Sequence, residues 1–315
     1  EFDRKVAANI PVGAPGRGLT PERLHFLGAL PRIDGSSRAD DLADGTAAMV
    51  EAISSAWTGP SAPKVRMLPA MLSADRLPKG FEHPEQGIAI GVDETNLAPV
   101  FVNFETDPFF VVFGDSESGK TALLRLIAKQ ISERYTREEA VIVVGDYRRT
   151  LLGAIPETHL LEYAATSAAM ELHMTEINNL MGRRAPGPDV TPEQLRDRSW
   201  WSGPQVFVIV DDYELVASGS GNPMSVLVDN LPFARDVGLR FIVARSAGGA
   251  SRSMYEPFMQ RVKELGAQGV VLSGDPSEGD LLGNVRPRPM PPGRGSFVSR
   301  KRGTPLVQLG WLPDR

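Results

Sequence analysis

Eight consecutive residues have the types and spacing to hold a phosphate chain: Gly114-Asp115-Ser116-Glu117-Ser118-Gly119-Lys120-Thr121. They match G-x-x-x-x-G-K-[ST] and follow directly on the apolar run Phe109-Phe110-Val111-Val112-Phe113. Two glycines let the backbone curl until its N–H groups converge on an anion, and a helix starting there adds its positive end. Lys120 is expected to reach the β- and γ-phosphates and the Thr121 hydroxyl to bind Mg²⁺. The expected ligands are therefore a nucleoside triphosphate, read as ATP, and Mg²⁺. Asp115 and Glu117 add two carboxylates inside the loop. The backbone still cradles an anion if both point outward; pointing inward, their charge lowers triphosphate affinity.

A second constellation lies downstream, where Val206-Phe207-Val208-Ile209-Val210 ends in Asp211-Asp212. An acid at the end of such a strand, beside a phosphate loop, holds the Mg²⁺ shell, and Asp211 is placed for that role. The next position commonly carries a Glu that polarises the attacking water; here it is Asp212, one methylene shorter. A misplacement of about 1 Å can cost on the order of 100-fold in rate. Lys120 and Asp212 are the catalytic candidates of a site expected to bind nucleotide well and hydrolyse it poorly. Arg245-Ser246 follow another apolar run, where Ser246 is a candidate γ-phosphate sensor or a plain strand end. Arg294, beside glycines in a turn, is open to a nucleotide, a neighbouring subunit or solvent. His25, His83, His159 and His173 show no metal spacing, and Trp200-Trp201 reads as packing.

These residues need a rigid frame, and the hydropathy pattern supplies one. Phe109–Phe113, Ala140–Gly145, 206–210, 240–244 and 269–272 are continuous apolar runs, as strands covered on both faces require. Helical periodicity over 121–135 and, less regularly, over 167–181 separates them. The pattern predicts an α/β fold, a mostly parallel sheet flanked by helices on both faces.

Composition bounds the rest. The chain has 315 residues, 42% hydrophobic and 23% charged, with no cysteine and a formal net charge of −5. Disulfides and thiolate metal sites are excluded. No run approaches 18 apolar residues, so no membrane span is expected. The acidic balance argues against DNA, because duplex binding needs a clustered excess of Lys and Arg. Arg148-Arg149, Arg183-Arg184 and Arg300-Lys301-Arg302 are short and read as solvated surface. The chain starts Glu1-Phe2 without Met or leader and reads as a fragment.

Residues 1–85 are rich in Pro, Gly, Ser and Ala, with one helix expected over 39–57. They read as the tail of a preceding domain plus a linker, and 86–315 as the nucleotide domain. Pro15-Gly16-Arg17-Gly18 recurs as Pro292-Gly293-Arg294-Gly295, and both copies precede strand-like segments. If the echo is more than coincidence, the chain opens on the last strands of a homologous domain in a tandem array.

Taken together, the residues resemble the FtsK/SpoIIIE branch of P-loop ATPases, and within it the EccC ATPases of actinobacterial type VII (ESX) secretion. The features are 114–121, Asp146-Tyr147-Arg148, Pro156-Glu157-Thr158-His159-Leu160-Leu161, Arg198-Ser199-Trp200-Trp201-Ser202-Gly203, Val208 to Tyr213, and Pro291-Pro292-Gly293-Arg294-Gly295. The phosphate loop is generic, whereas the Ser-Trp-Trp-Ser-Gly and Asp-Tyr-Arg segments are specific. The resemblance implies a RecA/FtsK-like P-loop NTPase fold over 86–315, as the C-terminal, third ATPase domain of a hexameric secretion motor. It implies anchoring at the cytosolic face of the inner membrane by segments elsewhere, the fragment itself being soluble. The implied partners are other EccC ATPase domains, secretion-complex components and the C-terminal tails of Esx (WXG-motif) substrates. It implies tight nucleotide binding with little turnover, and names no substrate-contacting residue. The alternatives are an FtsK-like DNA translocase and a nucleotide-free interaction module.

Overall fold

The computed structural model describes residues 4–10, 16–20, 22, 24–63, 65–218 and 221–313. They fall into two compact units, Glu1–Lys64 and Val65–Arg315. The first contains α1 (Arg4–Ala7), the antiparallel pair β1 (Arg17–Leu19) and β2 (His25–Leu27), and α2 (Leu42–Ala56), which answers the helix expected over 39–57. The Arg32 guanidinium holds the N-terminal end of α2 through Asp41, at 2.6 Å.

The second unit opens with β3 (Leu72–Ser73), β4 (Ile88–Asp93), β5 (Pro99–Val102) and β6 (Phe109–Phe113). Then come α3 (Lys120–Arg134), β7 (Ala140–Gly145), β8 (Leu160–Ala164), α4 (Ser167–Arg184) and α5 (Pro192–Asp197). After β9 (Gln205–Val210) and α6 (Tyr213–Val216), a 3₁₀ segment (Pro223–Phe233) leads to β10 (Leu239–Arg245). The chain closes through α7 (Ala250–Ser253), α8 (Pro257–Glu264), β11 (Gln268–Val271), β12 (Arg294–Val298) and β13 (Leu306–Trp311).

The main sheet runs β5-β4-β13-β12-β11-β6-β10-β9-β7-β8, with β3 alongside β13. From β11 to β8 all pairs are parallel; β5, β4, β13 and β12 extend it antiparallel. The five apolar runs are five adjacent strands, β11-β6-β10-β9-β7. Successive side chains face opposite sides of a strand, and both sides are covered. Phe109, Val111, Phe113, Val208 and Val210 pack with Met170, Met174 and Ile177 of α4 and with α8. Phe110, Val112, Phe207 and Ile209 pack with Leu123, Leu124, Ile127 and Ile131 of α3. This two-sided burial is why the strands carry no alternation.

The unit boundary falls before the expected one. Residues 65–85, read as connector, belong with the second unit: β3 pairs with β13, and Leu72, Ala74 and Leu77 are buried with Ala89 and Leu126. Isolated apolar residues among prolines and turns carry no period from which this docking can be read. Arg184 also departs from its surface reading. It is buried, stacks on the Trp201 ring at 4.1 Å and donates to the Val237 and Pro204 carbonyls. Trp200 and Trp201 donate their indole N–H groups to the Arg184 and Asp236 carbonyls, so the pair knits α4 to the lower ends of β9 and β10.

The two arginine-glycine hairpins correspond in detail, Pro15 lying outside the described residues. Gly16 and Gly293 both have left-handed backbones, φ +83° and +72°. Each precedes a strand, and each carbonyl accepts an N–H from the returning strand, Gly28 at 2.7 Å and Leu309 at 2.8 Å.

Candidate functional site

The phosphate loop leaves the top of β6, between β11 and β10, and enters α3. Its back is anchored on both sides. The Asp115 N–H donates to the Ser273 carbonyl beyond β11 at 2.8 Å, and the Ser118 carbonyl accepts from the Gly293 N–H at 2.8 Å. Both loop glycines are required. A Cβ on Gly114 would lie 2.4 Å from Ser118 Oγ, and Gly119 sits at φ +106°, where L side chains are strained. Gly119 caps α3 without a side-chain bond, so the first N–H groups of α3 have no intrahelical acceptor. Ser118 Oγ is buried without a partner. Lys120 is buried and its Nζ donates to the Asp115 carbonyl at 3.0 Å, which holds the ammonium over the loop. Ser116 and Glu117 are exposed and Asp115 is half-buried, its carboxylate lying on the Gly274 side.

The register brings the acids to the loop. β9 lies one strand away from β6, across β10, and Asp211 at its end is 1% exposed. Asp211 Oδ2 accepts the Thr121 hydroxyl at 2.6 Å, and Oδ1 accepts the Asp212 N–H at 3.0 Å. Burial pushes the Asp211 carboxyl above its ordinary value, against the Thr121 bond and with the charge of Asp212 adding to the rise. Asp212 is held differently. Its backbone is left-handed, φ 46° and ψ 55°, and its Oδ2 is paired with Arg148 Nε at 3.2 Å. Burial raises its carboxyl too, with Arg148 opposing.

The donor set fits a hard divalent cation: a hydroxyl and a carboxylate, all oxygen, face an anion cradle. Among the described residues no group of three or more His, Asp or Glu forms a metal cage. Mg²⁺ in such sites takes one or two carboxylates and completes its shell with phosphate oxygens and water. Thr121 and Asp211 would hold it.

Three residues weighed from the sequence have protein partners of their own. Arg294 is half-buried; its guanidinium donates to Gln308 Oε1 at 3.0 Å and to the Pro69 carbonyl at 2.6 Å, tying 65–85 to the hairpin. The Ser246 N–H is gripped by the Glu214 carboxylate, both oxygens at 3.2 Å, and its hydroxyl accepts from the Gly248 N–H. His159 is wedged between Thr158 Oγ1 and the Tyr135 carbonyl. Two contributors went unread as site residues, Arg148 and Thr150. In the sequence Arg148 reads as solvated surface, and Thr150 gives no signal at all. Both become legible once β7 is known to neighbour β9, with Gly145 opposite Val210.

No family model matches the chain. It is 52% identical over 311 residues to the ESX secretion system protein EccC of Thermomonospora curvata, which covers 99% of this chain and 24% of that protein. A solved structure of T. curvata EccC (ATPases 2 and 3) in complex with a signal sequence peptide superposes with a TM-score of 0.81, over 100% of this chain and 56% of that one. A further structure described as an ATPase, 30% identical, superposes with a TM-score of 0.70 and is 98% covered. The chain thus spans about a quarter of the length of the T. curvata EccC sequence it matches. With the loop, the acid-tipped strand and these likenesses together, the chain belongs to the EccC family of FtsK/SpoIIIE-type P-loop ATPases of type VII secretion systems.

Proposed function

We propose that this chain is the C-terminal, nucleotide-binding ATPase module of a type VII secretion motor, and that it holds Mg-ATP and turns it over slowly. The observation that carries the reading is the 2.6 Å bond between Thr121 and Asp211 beside a loop whose helix end is uncapped. The loop N–H groups and Lys120 bind and orient the triphosphate. Thr121 and Asp211 would hold Mg²⁺, which would supply neutralisation of the triphosphate charge. Asp212 is the group to orient the attacking water. It is one methylene short of the usual Glu, turned by a left-handed backbone and engaged by Arg148. Each of these works against rapid hydrolysis.

Of residues 1–85, the stretch before Val65 is proposed as the tail of a preceding ATPase domain and its linker, on the strength of the matched hairpins at Gly16 and Gly293. In the longer protein the module would work at the cytosolic face of the inner membrane. No helix among the described residues is long and apolar enough to cross one. The T. curvata complex with a signal sequence peptide supports contact with the C-terminal tails of Esx-type substrates and with neighbouring EccC domains. The test is to incubate the purified chain with Mg-ATP, follow retained nucleotide and phosphate release, and titrate Esx tail peptides. Retained nucleotide, slow release and saturable peptide binding are expected. Brisk turnover, or salt-dependent duplex DNA binding in place of peptide binding, would overturn the reading.

A further inference from the structure

We infer that Thr150 is a positioning residue for the metal-binding carboxylate of Asp211, with Asp146 as its anchor. The inference rests on the Mg-ATP reading above. Asp211 Oδ2 takes two hydroxyl donors, Thr121 at 2.6 Å and Thr150 at 3.0 Å. Thr121 belongs to the phosphate loop and would be a ligand of the metal itself. Thr150 comes from a different element, the loop after β7, and contributes only its proton to the acid.

That loop is fixed from several directions. Asp146, with no exposed surface, lies next to Asp211 because Gly145 pairs with Val210. Its Oδ2 accepts the Leu151 N–H at 2.6 Å and the Tyr163 hydroxyl at 2.6 Å. Arg149 has a left-handed backbone, φ +59°, which turns the chain so that Thr150 faces inward. Arg125 of α3 donates to the Thr150 carbonyl at 2.7 Å. The Thr150 hydroxyl is also 3.4 Å from Asp146 Oδ1. One proton between two buried carboxylates has one use, and the shorter contact is to Asp211. The consequence is a carboxylate whose rotation is set before any cation arrives. Residues that orient a metal ligand in this way typically change metal affinity by about 10- to 100-fold when lost.

The experiment measures ATP affinity calorimetrically for the 315-residue chain, once with excess Mg²⁺ and once with EDTA. Wild type is expected to bind more tightly with Mg²⁺. Thr150→Val and Thr150→Ala are expected to reduce that Mg²⁺ enhancement about tenfold, with the EDTA affinity within about twofold of wild type; Thr150→Ser is expected to keep it. An unchanged enhancement in both hydroxyl-less variants overturns the inference, as does an equal loss in both arms. Absence of ATP binding by wild type overturns the underlying nucleotide reading instead, and the inference falls with it.

Discussion

The two ends of the parallel sheet treat buried charge in opposite ways. At the lower end, Arg240 is 1% exposed and donates to the Glu105 carboxylate and to the Ala234, Arg235 and Leu239 carbonyls. Glu105 also accepts from Tyr135 and Gln205, so opposite charges and neutral donors converge on one acid. Burial works against its ionisation, but the Arg240 charge and these bonds outweigh it and hold the carboxyl below its ordinary value. At the upper end, Asp146, Asp211 and Asp212 crowd together. Hydroxyl and amide donors hold the first two, and the exposed Arg148 the third. The lower cluster draws its countercharge from the chain itself and serves stability, although Arg240 Nε and Gln205 Oε1 are buried without partners. The upper one is short of positive charge, and a bound cation would complete it.

Mutations at the two ends should therefore separate cleanly. Arg240→Ala leaves Glu105 without its cation and opens space under β10. A loss of about 3 kcal/mol is expected in denaturant unfolding, with nucleotide affinity of the folded fraction unchanged. At the upper end, Asp212→Glu restores the missing methylene. ATP turnover should rise, on the order of 10- to 100-fold in a phosphate-release assay, with unfolding free energy little altered. The smallest effect is Glu105→Gln, because Glu105 is 38% exposed and screened. A cost of about 1 kcal/mol at neutral pH is expected. Its folded value is lowered, so the stabilisation is present above the unfolded value of 4.5 and is lost as pH falls through the folded one. The mutant and wild-type stability curves should converge at acid pH; parallel curves would remove the charge from the explanation.

Much of this frame was legible in the chain. Strands buried on both faces announce themselves as apolar runs, and the phosphate loop fixes its own place between β6 and α3. What could not be read depends on neighbours. β8, at the sheet edge, mixes buried Ala164 with exposed Leu161 and Glu162, so it carries no run. Arg294 and Arg184 look like surface cations until the carbonyls they cap are known. Thr150 acquires a role only from the order of β7 and β9, which no local pattern encodes. Asp211 and Asp212 were visible as a pair, but the turn at Asp212 that hands its carboxylate to Arg148 was not.

The most direct measurement is the thermal and chemical stability of the chain against increasing Mg-ATP, wild type beside Lys120→Ala. Saturable stabilisation of wild type is expected, reaching about 2.7 kcal/mol at 100 times the Kd, and its disappearance in Lys120→Ala. Equal stabilisation of both proteins, or none of wild type in millimolar Mg-ATP, would contradict a nucleotide site at residues 114–121.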